Sequence, residues 1–407
     1  MKKILALFLL LAISLTTFSG CSSKSSNDGV TKIRFATWDS ADDLTEQQKL
    51  VDDFNASQDK IVVTLEAYGD DYDTKISAGM GANDAPDVMY MWNYPAYHDG
   101  LEPLDSYMEK EGADFKSGYY DALWEYNMIN DAVYGMPVGF TTHALYYNKD
   151  AFAKAGIDEP TNDWTWDDLQ TAAKTITEKV DGMTGFSYQI KPDPYDFEMY
   201  LWSNGTAYTD DAGSLDGNLN SDKSVEVITM FQDMQKDKIA VATEGSGRDE
   251  FGGGKSAMFI YGQWGVSNFN DLGLNYGIVE IPSFASSGQD SVSILSSSGV
   301  SISKDSKNKD AAWEFIKYWT GEELNKVRID YELPTLMSVV ESENVMSDPQ
   351  KAPFYDMLEK SGGYTPTSFK VDDWSEVSAK LELAFETAFN PSSLADVKGL
   401  LDEAVSE

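Results

Sequence analysis

The sequence predicts an α/β protein built as two lobes, and three observations point there. Short β-type runs alternate with amphipathic helical stretches from Thr31 onward, which is the signature of an open sheet with crossover connections. The chain from about residue 30 to residue 407 exceeds the usual size of one domain, so two lobes are expected. After the first twenty residues no second long apolar stretch occurs, so the body is expected to be soluble.

The first segment reads as an address. Lys2 and Lys3 precede an apolar run over 4–15 that gives way to small residues before Cys21, and the run is too short for a dependable membrane span. Phe18-Ser19-Gly20-Cys21 resembles a bacterial lipobox, which implies cleavage before Cys21 and a lipid on that residue. Residues 1–20 are then a leader and 21–29, rich in Ser, Asn, Asp and Gly, a flexible tether. An ordinary secretory signal is the competing reading. Cys21 is the only cysteine, so an internal disulfide is excluded. The expected location is the outer face of the cytoplasmic membrane, lipid-anchored, at a Gram-positive cell surface.

The elements follow in order. Residues 32–37 form the first strand, 44–54 a helix with Leu44, Leu50, Val51 and Phe54 on one face, and 61–67 a second strand. A helix over 72–80 and a strand over 87–91 complete three βα steps. Ligands meet such sheets at the carboxyl ends of the strands, here Trp38-Asp39-Ser40, Asp70-Asp71-Tyr72 and Trp92-Asn93-Tyr94. Residues 134–138 and 145–148 read as one β path interrupted at 139–143, as a strand leaving one lobe for another would. Thr165, with Asp168 three residues on, predicts a helix start with a capping box. Helices are expected at 149–155, 224–237, 310–320, 374–389 and 394–405, and strands at 256–260 and 276–281, with an extended segment over 291–303.

Composition narrows the function. Acidic residues outnumber basic ones 68 to 31, a net charge of −37, and so negative a surface repels phosphate backbones, so nucleic acid is not an expected partner. Aromatic residues are 13% of the chain, a surplus that suits a site built from ring faces. Catalytic patterns fail on spacing. Phe251-Gly-Gly-Gly-Lys-Ser256 puts Asp249 where a phosphate loop needs its first glycine. His98 and His143 are the only histidines, and the loop 210–217 lacks calcium-loop spacing. No cofactor and no metal are expected. A secreted glycoside hydrolase would share the acidity and the aromatics, and a surface glycan receptor without transport is a second rival.

Six segments in order then carry a resemblance. They are Ala85-Pro-Asp-Val-Met89; Ala144-Leu-Tyr-Tyr-Asn-Lys149 with Ala155-Gly-Ile157; Trp164-Thr-Trp-Asp-Asp-Leu169; Gly254-Lys-Ser-Ala-Met258 with Gly262-Gln-Trp264; Asn275-Tyr-Gly277 with Ile281-Pro282; and Gly299-Val-Ser-Ile-Ser303 before Lys309-Asp-Ala-Ala-Trp-Glu-Phe315. Together they resemble the extracellular solute-binding proteins of carbohydrate ABC importers, the group that includes maltose-binding protein. The resemblance implies a periplasmic-binding-protein-like fold with discontinuous lobes and a multi-segment hinge. Lobe one would be 30–140 with 297–345, and lobe two 141–296 with 346–407, the crossings falling near 138–143, 294–298 and 339–353. It implies a monomer that is not an enzyme, that captures a mono- or oligosaccharide and that hands it to ABC permease subunits with a cytoplasmic ATPase.

A sugar offers C–H faces to aromatic rings and hydroxyls to polar side chains, whose unpaired burial is costly. On that chemistry and the family positions, Trp264 between Gly262 and Gly265 is the leading stacking residue, a core tryptophan being the alternative. Trp374, opening a helix, is a second aromatic. Asp39 and Ser40 after the first strand and Trp92 and Asn93 after the third are expected contacts. Thr141 occupies a crossing position that is acidic in maltose-binding protein, which turns the reading away from maltodextrin. Trp202 and Tyr364 are further candidate walls, with core burial the competing reading for both. Arg248 and Arg328 are scarce cations in an acidic chain, expected to pair with nearby carboxylates, with bonding to a sugar the competing reading for both.

Overall fold

A computed structural model describes residues 29–39, 41–392 and 395–406; the segment expected to be a leader, Cys21 and Ser40 lie outside them. The strands are β1 (Thr31–Thr37), β2 (Ile61–Ala67), β3 (Val88–Met91), β4 (Met128–Ile129), β5 (Ala132–Val133), β6 (Met136–Asn148), β7 (Phe186–Gln189), β8 (Ala240–Thr243), β9 (Met258–Gly262), β10 (Tyr276–Val279) and β11 (Leu295–Ile302). The main sheet runs β10-β6-β11-β3-β1-β2, with β9 also on β6. β1 pairs in parallel with both β2 and β3, while β11 runs antiparallel to β3 and β6. The three βα steps read from the sequence are present, with helices Ala41–Ser57 and Tyr72–Ala82 between the strands.

β6 organises the molecule. Its first half, Met136–Thr142, pairs with β11, and its second half pairs with β9 and β10. The break expected at 139–143 does not occur: the strand is continuous for 13 residues. Gly139 had suggested an interruption, but its missing side chain instead admits the Glu332 carboxyl, which lies 3.1 Å from where a Cβ would stand. The irregularity is a bulge rather than a break: consecutive Ser298 and Gly299 on β11 face Gly139 and Pro137, which leaves Val138 of β6 as the extra, unpaired residue.

Three apolar cores sit around this strand. The first takes Phe35, Tyr90, Val300, Phe315, Trp319 and Leu324, with Phe35 edge-on to Trp319 at 4.8 Å. The second takes Trp166, Phe186, Phe197, Phe231, Phe385 and Phe389. The third packs Tyr146, Phe251, Phe259, Phe269, Leu333 and Phe354. Beyond Leu324 the chain touches two cores in alternation: Leu324 belongs to the first, Leu333 to the third, and Leu336 packs on the first again. Val340 and Val345 are already buried in the third core, because the helix Met337–Ser342 packs its apolar face there.

Local signals explain the helix that opens the second core. Thr165 and Asp168 form the expected reciprocal capping box, and Trp166, Leu169, Ala173 and Ile176 turn one buried stripe inward.

Candidate functional site

A cleft of about 1040 Å³ lies where the strand ends of the first lobe face the second, at the upper limit of the roughly 300–1,000 Å³ usual for small-molecule pockets. The carboxyl ends of β1, β2 and β3 reach it through Trp38 and Asp39, Gly69 and Asp70, and Trp92 and Asn93. Trp38 is fixed against Tyr90 at 4.8 Å. The Asp39 carboxylate accepts hydrogen bonds from Thr37 Oγ1 at 2.9 Å and from Gln47 Nε2. Asn93 caps the short helix Tyr94–Tyr97, accepting from the Ala96 N–H at 3.3 Å.

The opposite wall belongs to other elements. Trp264 follows β9, and its indole stands edge-on to Tyr261 at 5.5 Å and to His143 at 5.9 Å. Gly262 is required there, since a Cβ would fall 2.8 Å from the Trp264 ring. Thr141 lines the cleft but is buried and already occupied. Its hydroxyl accepts from the Gln263 N–H at 2.8 Å and donates to the Thr142 carbonyl at 2.8 Å, so it holds the Gln263-Trp264 turn in place. His143 is buried beneath this turn, its Nδ1 without a hydrogen-bond partner among the described residues, and burial pushes its pKa down to about 4.

A third wall comes from the C-terminal helix Trp374–Ala388, where Trp374, Ser378 and Glu382 recur every four residues and share one face toward the cleft. Glu382 is ion-paired with Lys191 at 2.8 Å. Beside it the helix Pro194–Ser203 presents Asp193, Tyr195 and Asp196. Burial raises the Asp196 carboxyl to about 6, and burial together with Asp196 raises Asp193.

Thus Trp264, Asp39, Trp92, Asn93, Thr141 and Trp374 are brought to one cleft. Two candidates are not. Trp202 is 4% exposed and packed in the second core, because residues on its side of the helix Pro194–Ser203 turn inward. Tyr364 packs against it at a tilt, 5.4 Å between ring centres, and lines a separate cavity of about 40 Å³ with Glu125 and Ser361. Ser40 lies outside the described residues. The sequence reading missed Asp193, Glu332 and Glu382; the four-residue spacing from Trp374 to Glu382 was a legible signal for the last.

Charge on the cleft is lopsided. Asp39, Glu46, Asp70 and Asp73 line one side, and Asp193, Asp196, Glu332 and Glu382 the rest. Arg328 is the one cation lining it among the described residues, and as expected it meets a carboxylate, Glu332, at 3.0 Å. Arg248, the other arginine singled out, meets Asp249 at 3.4 Å at the surface.

Residues 38–326 match the family described as bacterial extracellular solute-binding protein, and the chain belongs to that family. Among relatives, a Bacillus subtilis galactooligosaccharide-binding protein is 24% identical over 99% of this chain and 96% of its own. A Brucella abortus relative is 29% identical over 60% of each chain, so the match spans less than two thirds of that relative's length. An ABC substrate-binding protein of Listeria monocytogenes, solved with cycloalternan, superposes with a TM-score of 0.79 at 24% identity, covering 93% of this chain and 97% of that one. The Streptomyces glaucescens GacH receptor, solved unliganded and with acarbose, gives 0.77 at 23% identity, over 93% and 97%. These similarities establish the two-lobed fold.

Proposed function

We propose that this protein captures a neutral mono- or oligosaccharide between its lobes and presents it to the permease of an ABC importer. The observation that carries the reading is the exposure of Trp92 and Trp264, 45% and 47%, inside a cleft that also carries carboxylates, hydroxyls and further aromatic rings. Indole faces left open among hydrogen-bonding groups fit a sugar ring, which is apolar on its faces and polar at its edge. The galactooligosaccharide- and arabinooligosaccharide-binding relatives support the same class of ligand. Lobe one is taken as 30–140 with 297–345, and lobe two as 141–296 with 346–407. Ligand touches both walls only when they approach, so binding shifts the population toward the closed form. Calorimetry against a panel of neutral mono- and oligosaccharides tests this; binding of a polyamine, metal ion or amino acid with no sugar bound would sink it.

Export and anchoring belong to the same reading. The support for an anchor is Phe18-Ser19-Gly20-Cys21, which resembles a lipobox; no helix among the described residues is long and apolar enough to cross a membrane. A Cys21→Ala variant is expected to leave the membrane fraction and appear in the medium. Retention in the membrane fraction would refute the anchor. The protein is read as a non-catalytic monomer without a cofactor, and release of reducing sugar from a bound glycan would overturn that.

A further inference from the structure

The floor of the cleft holds polar groups that the fold itself does not satisfy. Arg328 follows the helix Glu322–Val327 and is 3% exposed. Its Nη2 donates to the Trp319 carbonyl at 2.9 Å, and its guanidinium lies over the Trp319 ring at 5.5 Å. Its Nε is 3.0 Å from Glu332 Oε2, yet the two form an ion pair without an aligned hydrogen bond. Arg328 Nε, Arg328 Nη1 and Glu332 Oε2 therefore all lack a hydrogen-bond partner among the described residues. Buried polar atoms in that state are costly. Both side chains line the cleft.

The backbone under them is held firmly. Asn325 accepts from the Thr335 N–H at 3.0 Å, Tyr355 donates to the Pro334 carbonyl at 2.9 Å, and Gln263, next to Trp264, donates to the Tyr331 carbonyl at 2.7 Å. This segment touches both cores, the first through Leu324 and Leu336 and the third through Ile329 and Leu333.

We infer that Arg328 and Glu332 form a hydroxyl-reading subsite at the hinge, which takes one hydroxyl, or an adjacent pair, of a neutral sugar ring. The inference rests on the sugar reading above. A hydroxyl is the group that fits because it donates and accepts at once: it accepts from Arg328 Nη1 and donates to Glu332 Oε2. An anionic group would satisfy only the arginine and would meet the carboxylates of Glu332 and Asp39. An ammonium would satisfy only the glutamate. Gly139 makes the geometry possible, since a Cβ there would press on the Glu332 carboxyl. A ring held here is bonded to a crossing segment while Trp264 meets it from lobe two, so occupancy of the subsite favours closure.

The test is calorimetry of the full mature protein with maltotriose, mannotriose, a galactotriose, an arabinotriose and sn-glycerol 3-phosphate, on the unaltered chain and on Glu332→Gln and Gly139→Ala. At least one neutral trisaccharide is expected to bind, and glycerol phosphate is not. Loss of a charged hydrogen bond in Glu332→Gln should weaken the trisaccharide by about tenfold or more. Gly139→Ala keeps the charge but displaces the carboxyl, and should give a similar loss with an unchanged far-ultraviolet spectrum. Affinity within twofold of the unaltered protein in both variants overturns the subsite and leaves the sugar reading standing. Tight binding of glycerol phosphate overturns the neutral-hydroxyl assignment. If no trisaccharide binds, the sugar reading falls and this inference with it.

Discussion

Two tryptophans separate the roles that a sequence pattern alone ran together. Trp264 and Trp202 both stood as candidate walls, yet one is 47% and the other 4% exposed. Trp264→Ala should abolish sugar binding while changing stability by less than about 1 kcal/mol, as for an exposed side chain. Trp202→Ala should cost about 3–5 kcal/mol, as for a buried aromatic, lowering the melting temperature by on the order of 10 °C. Scanning calorimetry beside a binding titration distinguishes them; a large stability loss in Trp264→Ala would return it to the core. The flanking glycines singled out Trp264, and Gly262 leaves room for the indole itself, whereas nothing in the run around Trp202 told its inward face from its outward one. Thr141 teaches a similar lesson. Its position at the cleft was legible, but a hydroxyl's commitment to the Gln263 N–H and the Thr142 carbonyl depends on pairings across the sheet, which one sequence does not print.

At the scale of elements, a buried carboxylate ties a helix to a turn. Glu198, on the helix Pro194–Ser203, accepts the Thr367 N–H at 2.8 Å and its hydroxyl, and burial raises its pKa from 4.5 to about 7. A carboxyl whose folded pKa is raised adds stability below its unfolded pKa, and that contribution is lost as pH rises through the folded value. Stability is therefore expected to fall between about pH 4.5 and 7 by an amount on the order of a few kcal/mol from this group, with half-buried Asp196, at about 6, adding in the same direction. Glu198→Gln should flatten the denaturation midpoint across that window. An unchanged slope in the variant would show that Glu198 does not titrate there. Element existence was largely legible: the three βα steps, the capped helix at Thr165 and the two C-terminal helices lie close to where periodicity placed them. What was not legible was continuity. A glycine in a strand reads as a break, and only the proximity of Glu332, nearly two hundred residues away in sequence, shows why β6 runs on. The core that Val340 and Val345 enter was illegible for a related reason, because they are equally apolar whichever core they join.

For the whole molecule, charge is the dominant field. A net charge of −37 works against the compact state through self-repulsion. The melting temperature without ligand should therefore rise as salt increases from about 0.01 M to about 1 M, over which the Debye length shrinks from roughly 30 Å to 3 Å. A melting temperature that falls or stays flat would mean that local ion pairs outweigh the overall repulsion. Saturation with a bound sugar should reduce the radius of gyration in solution scattering, as the hinge equilibrium requires; identical profiles with and without ligand would argue against closure.

The sheet order carries one more consequence, for the timing of folding. β3 finds its inner neighbour in β11, and the first half of β6 pairs with the same strand. A nascent chain therefore cannot complete its first lobe until residues past 302 have been made, although that lobe begins at residue 30. Such long-range pairing slows folding, since loop closure precedes any gain from contact. In a family of extracellular proteins that delay is useful, because a polypeptide that stays loose until nearly all of it has been synthesised remains threadable through a narrow export channel.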